Sequence, residues 1–338
     1  MKWTLLDVAK FSHYQEEWNE LNKKSQNLAV LNSDFIEPLI NEFFEGNECF
    51  VLGHDNNKLC VAGFLNKVGS FQWATVMPSQ APVALWLCSG HKFNTHDVAS
   101  LAKALPGLVL TIDFLQVDSR DLELNPRESF ARAKYIETGN RPIPQDFDEY
   151  FKSLGKNMRQ NYTKVINRAE RAGDTLGFEC LSTPEEVTLA VQKYGELESK
   201  GWKSEHGTAI SPDNDQGRFY TDMLSRLAQK NQACCWYYKI NQQIVAVDLC
   251  VMQQNTLIIL KTTYDEEFSK QSPALQLKVE MIKHYSQAQT NIDNIEFYGR
   301  VMQWHARLDS EVRELQHLSW FRSSLVRNII STIKKLKP

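Results

Sequence analysis

Long apolar runs are missing from this sequence. No stretch of about 18 uncharged apolar residues occurs, so a membrane-spanning helix is not expected. Paired cysteines are missing too. The seven cysteines are an odd number and contain no Cys-x-x-Cys pair. That usage suits a reducing cytoplasm better than a secreted disulfide scaffold. No cysteine and histidine spacing suggests a metal, and Cys234-Cys235 sit on an apolar run where packing thiols are expected. Nor is there surplus positive charge. Lys and Arg total 38 against 41 Asp and Glu, for a net charge of -3 and a pI near 6.3. No global field favours nucleic acid. The opening MKWTLLDVAKFSHYQEEW places Asp7 and Lys10 inside its one apolar patch, unlike a signal peptide. A nucleophile elbow and a Gly-rich phosphate loop are absent. The expectation is a soluble, cytoplasmic protein without a metal, at most peripheral to a membrane.

What is present is core-forming material. The 338 residues are 42% hydrophobic and 11% aromatic, enough for a sizeable interior. The length suits about two domains. FIEPLINEFFEGNECFVLGHDNNKLCVAGFLN reads as helix, strand, polar turn, strand, with Asp55-Asn56-Asn57 as the hairpin signal. FYTDMLSRLAQKNQACCWYYKINQQIVAVDLCVMQQNTLIILKTTY repeats that layout and adds a third strand. A duplicated α+β unit is the economical explanation. Gly139, Pro142 and Pro144 in a polar setting mark the boundary. The expected division is residues 1–140 and 141–338. Just after it, FDEYFKSLGKNMRQNYTKVINRAERAG reads as one or two helices ending at Gly173.

Both faces of Ile244–Met252 are largely apolar, as in a strand covered on two sides. Asp248 within it is costly unless paired. Two readings stand: a bond to nearby backbone or an arginine, or a substrate-facing carboxylate. A strand over Thr256–Thr263 then runs into a polar loop and a helix opened by Ser272-Pro273-Ala274. Ser272 suits an N-cap and Pro273 the first helical position. Leu275, Val279 and Ile282 form one apolar stripe, and Leu277 and Met281 another. A helix starting at the end of a core strand aims free N–H groups into the crevice beyond it. Such a crevice suits phosphate or carboxylate. A capped helix with nothing bound is the alternative.

Four segments carry a family resemblance: NMRQNYTKVINRAERAG (157–173), YGELESKGWKSEHGTAI (194–210), LKTTYDEEFSKQSPALQL (260–277) and FYGRVMQWHARL (297–308). In that order they resemble the Fem-like branch of the GNAT acyltransferase superfamily, in its cellulose-biosynthesis (CelD-like) acetyltransferase group. The match covers roughly residues 140–310. The resemblance implies two tandem GNAT-like units, each a mixed, mostly antiparallel sheet flanked by helices. It also implies a cytoplasmic acyltransferase with acetyl-CoA or another acyl-CoA as donor. The acceptor would be an amine or hydroxyl of a sugar or surface-polysaccharide precursor. The donor pyrophosphate would lie against Ser272, Pro273, Ala274 and Leu275, with Lys261 nearby. The family usually has Ser-Pro-Gly at this turn. Ala274 adds a methyl group, which a helical backbone tolerates.

Direct transfer from a thioester needs a base for the acceptor, polarisation of the carbonyl and a proton for the thiolate. Glu198 and His206 are the base candidates. Tyr264, closing the strand, suits the proton donor, and Asp248 is a further catalytic candidate. Trp202, Lys203 and Trp304 are candidates for the acceptor or acyl pocket. Arg159, within the basic series Lys156, Arg159, Lys164, Arg168 and Arg171, suits an anionic acceptor or the CoA 3′-phosphate. A solvated helix face would have the same pattern. After Glu314 the chain contains no acid. Leu325, Ile329, Ile333 and Leu336 fall on one helical stripe among Arg322, Arg327, Lys334, Lys335 and Lys337, which suits an anionic leaflet or membrane-bound polysaccharide machinery. Packing on its own domain fits equally well. Two other functions stay open: a Fem-type aminoacyl transfer, and a catalytically silent module of a polysaccharide synthesis or export system.

Overall fold

The computed structural model describes residues 1–91, 95–121, 130–200, 210–288 and 290–336. The chain forms two compact units, Met1–Glu137 with Arg313–Pro338, and Thr138–Val312. Along the first run β1 (Lys2–Asp7), α1 (Gln15–Lys24), α2 (Ser33–Phe43), β2 (Cys49–Asp55), β3 (Lys58–Gly69), β4 (Gln72–Thr75), β5 (Trp86–Cys88), α3 (Thr95–Ala104) and β6 (Thr111–Asp118). β7 (Ala131–Pro142) leads into the second unit. That unit holds α4 (Phe147–Ser153), α5 (Lys156–Ala172), β8 (Leu176–Leu181), α6 (Pro184–Glu198), α7 (Asp215–Ala228), β9 (Ala233–Ile240) and β10 (Gln243–Gln253). It continues with β11 (Thr256–Tyr264), α8 (Pro273–Gln287), β12 (Asn294–Glu296) and α9 (Gln303–Arg307). β13 (Glu311–Phe321) and α10 (Ser324–Leu336) follow.

A run of strand, two helices, three strands, helix, strand occurs in both units (β1 to β6 and β8 to β12), with β5 added in the first and α4, α5 and α9 flanking the run in the second. The expected third strand of the second unit therefore has a counterpart, β4, in the first. Each unit closes its first hairpin with a two-residue turn in which both residues have positive φ. They are Asn56 and Asn57 (48° and 64°) in one, Asn241 and Gln242 (51° and 67°) in the other. That turn matches the right-handed twist of paired strands. In the first unit β1, β2, β3 and β4 are successively antiparallel, and β4 then pairs in parallel with β6. In the second, β8, β9, β10 and β11 are successively antiparallel and β11 pairs in parallel with β12.

The division differs from the expected boundary between residues 140 and 141. β13 pairs with β6, and its Leu318 and Trp320 join Ile112 and Phe114 in the core of the first unit. Burial of that alternating apolar set returns the chain from Arg313 onward to the first unit. Conversely, Asn140–Pro142 pair with β12 in the second unit.

Helix α5 ends at Gly173 in the left-handed conformation (φ 74°), as the sequence indicates, while α4 forms a separate short helix before it. β10 lies between β9 and β11, and α6 packs on β10 and β11 from one face. On the other face Ala246, Cys250, Leu257 and Ile259 pack with Leu277 and Met281 of α8 and with Met158 and Tyr162 of α5. Both faces of the central strand are thus covered, as its sequence requires.

Candidate active site

β11 and β12 share a ladder only where Thr256–Ile258 face Asn294–Glu296. Beyond Glu296 the chain turns through Tyr298, whose φ is 50°. β11 continues to Tyr264, six residues beyond its last pairing with β12. The start of α8 lies beside this stretch of β11. A crevice of about 320 Å³ lies here, lined by Tyr264, by Ser272–Leu275 at the helix start and by Trp304 and Arg307 of α9. Thr262 and Lys278 complete its wall. The structure thereby brings Tyr264, Ser272, Pro273, Ala274, Leu275 and Trp304 to one place.

The helix start is built differently from the sequence reading. Pro273 occupies the first turn, but Ser272 is left-handed (φ 50°, ψ 53°) and its side chain caps nothing. The conformation forces this: an N-cap hydroxyl reaches back to the helix from an extended residue, not from a left-handed one. The Ser272 carbonyl accepts from Leu275 and Gln276 N–H, both at 3.0 Å. Ala274 lies inside the helix, so its methyl group meets no backbone demand for glycine.

Asp248 is fully buried, and its partner is a lysine where an arginine or backbone group was expected. Lys278 donates to one carboxylate oxygen and, at 3.0 Å, to Thr262 Oγ1. Thr262 Oγ1 donates to the other at 2.7 Å. Lys278 is missed by pattern reading, although it lies three residues after Leu275 and four before Ile282, on a buried stripe. A lysine there, with an unpartnered acid on the central strand, is the signal.

Glu198 ends α6 and is buried. Its Oε2 accepts from Ile210 N–H at 2.9 Å, and its Oε1 lies 3.3 Å from the Tyr194 hydroxyl. The same hydroxyl is 3.2 Å from the Thr262 carbonyl. Burial, and then the Glu198 carboxylate, push the Tyr194 phenol well above its ordinary pKa, so it stays neutral. Thr262 thus touches the Glu198 side through its backbone and the Asp248–Lys278 pair through its hydroxyl.

Other candidates lie elsewhere. Lys261 points away from the crevice lining, with Nζ 3.4 Å from Gln216 Oε1 and 5.7 Å from the Tyr220 ring centre. Arg159 donates to the Leu154 carbonyl and lines an open surface with Lys156, Lys164, Arg168 and Arg171, so the basic series does share one face of α5. Trp202, Lys203 and His206 fall outside the described residues. Trp304 stacks on His305 at 3.6 Å. His305 is buried, its Nδ1 accepts from Met302 N–H at 2.8 Å and its Nε2 finds no partner among the described residues. Among the described residues no cluster of His, Cys, Asp and Glu could hold a metal ion.

Residues 156–306, all within the second unit, match the family model of an acetyltransferase (GNAT) domain. No curated protein matches the sequence significantly. Solved structures match over nearly the whole chain at low identity. A conserved protein of unknown function from Bacteroides thetaiotaomicron VPI-5482 is 12% identical with a TM-score of 0.60, covering 95% of this chain and 100% of that one. The C-terminal (DUF2156) domain of a protein described as a lysylphosphatidylglycerol synthetase from Agrobacterium fabrum is 11% identical with a TM-score of 0.57, covering 95% and 96%. FemX is 11% identical with a TM-score of 0.57, covering 98% and 100%. Residues 156–306 thus form an acetyltransferase (GNAT) domain, and the chain as a whole shares its fold with FemX.

Proposed function

We propose that this chain transfers an acyl group, acetyl in the simplest case, from acyl-CoA to an amine or hydroxyl on a sugar or cell-surface polysaccharide precursor, in the cytoplasm. The crevice where α8 begins, beside the stretch of β11 that outruns β12, carries the reading. Free N–H groups and the helix dipole favour the donor pyrophosphate there, next to the unengaged Ser272 hydroxyl. The thioester then lies along the unpaired edge of β11. The sugar acceptor rests on the resemblance of the four sequence segments.

In this mechanism Glu198 removes the acceptor proton. The acceptor atom bonds to the carbonyl carbon, and the carbon–sulfur bond breaks. Tyr264, which lines the crevice at the end of β11, returns a proton to the leaving thiolate. The Lys278 ammonium on the same wall favours the negative charge that develops on sulfur. Trp304 borders the acyl side, and Trp202, Lys203 and His206, between α6 and α7, are assigned to the acceptor. Arg159 and its basic neighbours suit an anionic part of either substrate.

Calorimetric titration with acetyl-CoA tests the reading. Saturable binding is expected, and it should be lost to competition by CoA. No heat at millimolar acetyl-CoA would overturn the donor assignment and leave a silent binding module.

A further inference from the structure

Four large apolar side chains stand in solvent at one end of the first unit. Phe71 is 50% exposed, Leu108 53%, Leu325 68% and Ile329 51%. Scattered exposed apolar residues are ordinary; a group of them in one place is not. These are held together by backbone bonds. Gln72 of β4 and Phe321 of β13 both face Thr111 of β6, so the three strands end in register. Just beyond, the Phe71 carbonyl accepts from Leu110 N–H at 2.8 Å, and the Leu110 carbonyl accepts from Arg322 N–H at 2.9 Å. The Arg322 guanidinium adds a 2.9 Å bond to the Val109 carbonyl. The hairpin tip carrying Phe71, the loop carrying Leu108 and the root of α10 are therefore neighbours.

Charge at this end has one sign. Residues 66–72, 103–112 and 315–338 contain no Asp or Glu, in a chain with net charge -3. Lys67, Lys103, Arg322 and Arg327 are exposed in those segments, and the sequence adds Lys334 and Lys335. The next acid along β6, Asp113, is tied to Gln72 at 2.6 Å. Helix α10 supplies the apolar edge, with Leu325 and Ile329 one turn apart. None of its described residues is buried. An apolar stripe flanked by cations, on a helix whose described side chains cover no core, is the pattern that lies flat in a lipid interface. An acid-free rim adds attraction to anionic headgroups.

We infer that this end of the first unit is a docking face for an anionic phospholipid surface, with α10, Phe71 and Leu108 entering the headgroup region. The inference is independent of donor binding at the crevice. Flotation of the full chain with vesicles tests it. The chain should rise with phosphatidylcholine vesicles containing phosphatidylglycerol, stay behind with phosphatidylcholine alone, and detach as salt is raised. Leu325→Glu/Ile329→Glu should weaken the association roughly tenfold or more, with an unchanged thermal midpoint because both side chains are exposed. No association with phosphatidylglycerol vesicles would overturn the inference, as would equal binding by the double variant. A chain that sediments as a dimer, and becomes monomeric in that variant, would also overturn it by making the face an interface between copies.

Discussion

Lys278 and Asp248 form an ion pair inside the second unit, their side chains 4% and 0% exposed. Such pairs seldom stabilise a fold more than well-packed apolar residues of the same volume, while removal of one partner costs about 3–5 kcal/mol. The pair also borders the crevice through Lys278 and Thr262. Lys278→Met alone should lower the thermal midpoint by several degrees. Asp248→Leu/Lys278→Met should recover most of that loss and yet remain poor in acyl transfer, since the positive charge is gone. Recovery of both stability and turnover in the double variant would reduce the pair to a structural element.

Ala274 separates the helix from its ligand. A carboxylate in the first turn of a helix stabilises it by about 0.3–1 kcal/mol. Ala274 lines the crevice, so the same charge would face the donor pyrophosphate. Ala274→Asp is therefore expected to hold or raise the thermal midpoint while weakening acetyl-CoA binding about tenfold, a difference of about 1.4 kcal/mol. Unchanged affinity by calorimetry would place the phosphates elsewhere. Ala274→Gly should bind normally, because the left-handed residue of this turn is Ser272.

Burial of histidines predicts a pH dependence. Burial holds His305, His284 and His317 below the ordinary histidine pKa, and the nearby Lys278 charge adds to this at His305. Below about pH 6.5 the unfolded chain then binds more protons than the folded one. Stability should fall as pH drops from about 6.5 towards the folded values, and be flat above. His305→Asn keeps an acceptor for Met302 N–H and should flatten part of the slope. Asp118 acts in the same direction at lower pH. Burial opposes its charge, but Arg313 and Arg120 outweigh that and hold its pKa low, so its contribution is lost only in stronger acid. Thermal midpoints across pH check both, and an identical slope in His305→Asn would discard the first.

Local chemistry made much of both units legible. The Asn-Asn and Asn-Gln hairpins, the stop at Gly173 and the Ser-Pro helix start each rest on a residue whose backbone preference is strong. The doubly covered strand and the isolation of Asp248 followed from period alone. Lys278 did not, because a lysine inside a helix pattern reads as solvated until the strand facing it is known. β13 was also hidden: Leu315, Leu318 and Trp320 do not keep a strict alternation, since the register against β6 shifts between Gln316 and Leu318. The left-handed Ser272 belongs to tertiary context, as nothing local demands it.

Glu198 supports the last prediction. It is 4% exposed, and one carboxylate oxygen holds Ile210 N–H at 2.9 Å. Glutamine keeps an acceptor for that N–H, so Glu198→Gln should fold normally. As a general base Glu198 is essential to proton removal, so turnover, followed as thiol released from acetyl-CoA, should fall about a hundredfold or more. Gly195 supplies the control. It lies three residues before Glu198 on α6, and a Cβ there would sit 2.3 Å from the Ile210 carbonyl oxygen. Gly195→Ala must push residue 210 off the helix, and should lower both stability and turnover. If Glu198→Gln turns over at the wild-type rate while Gly195→Ala is slow, Glu198 serves to hold Ile210 in place, and the base lies elsewhere in the site.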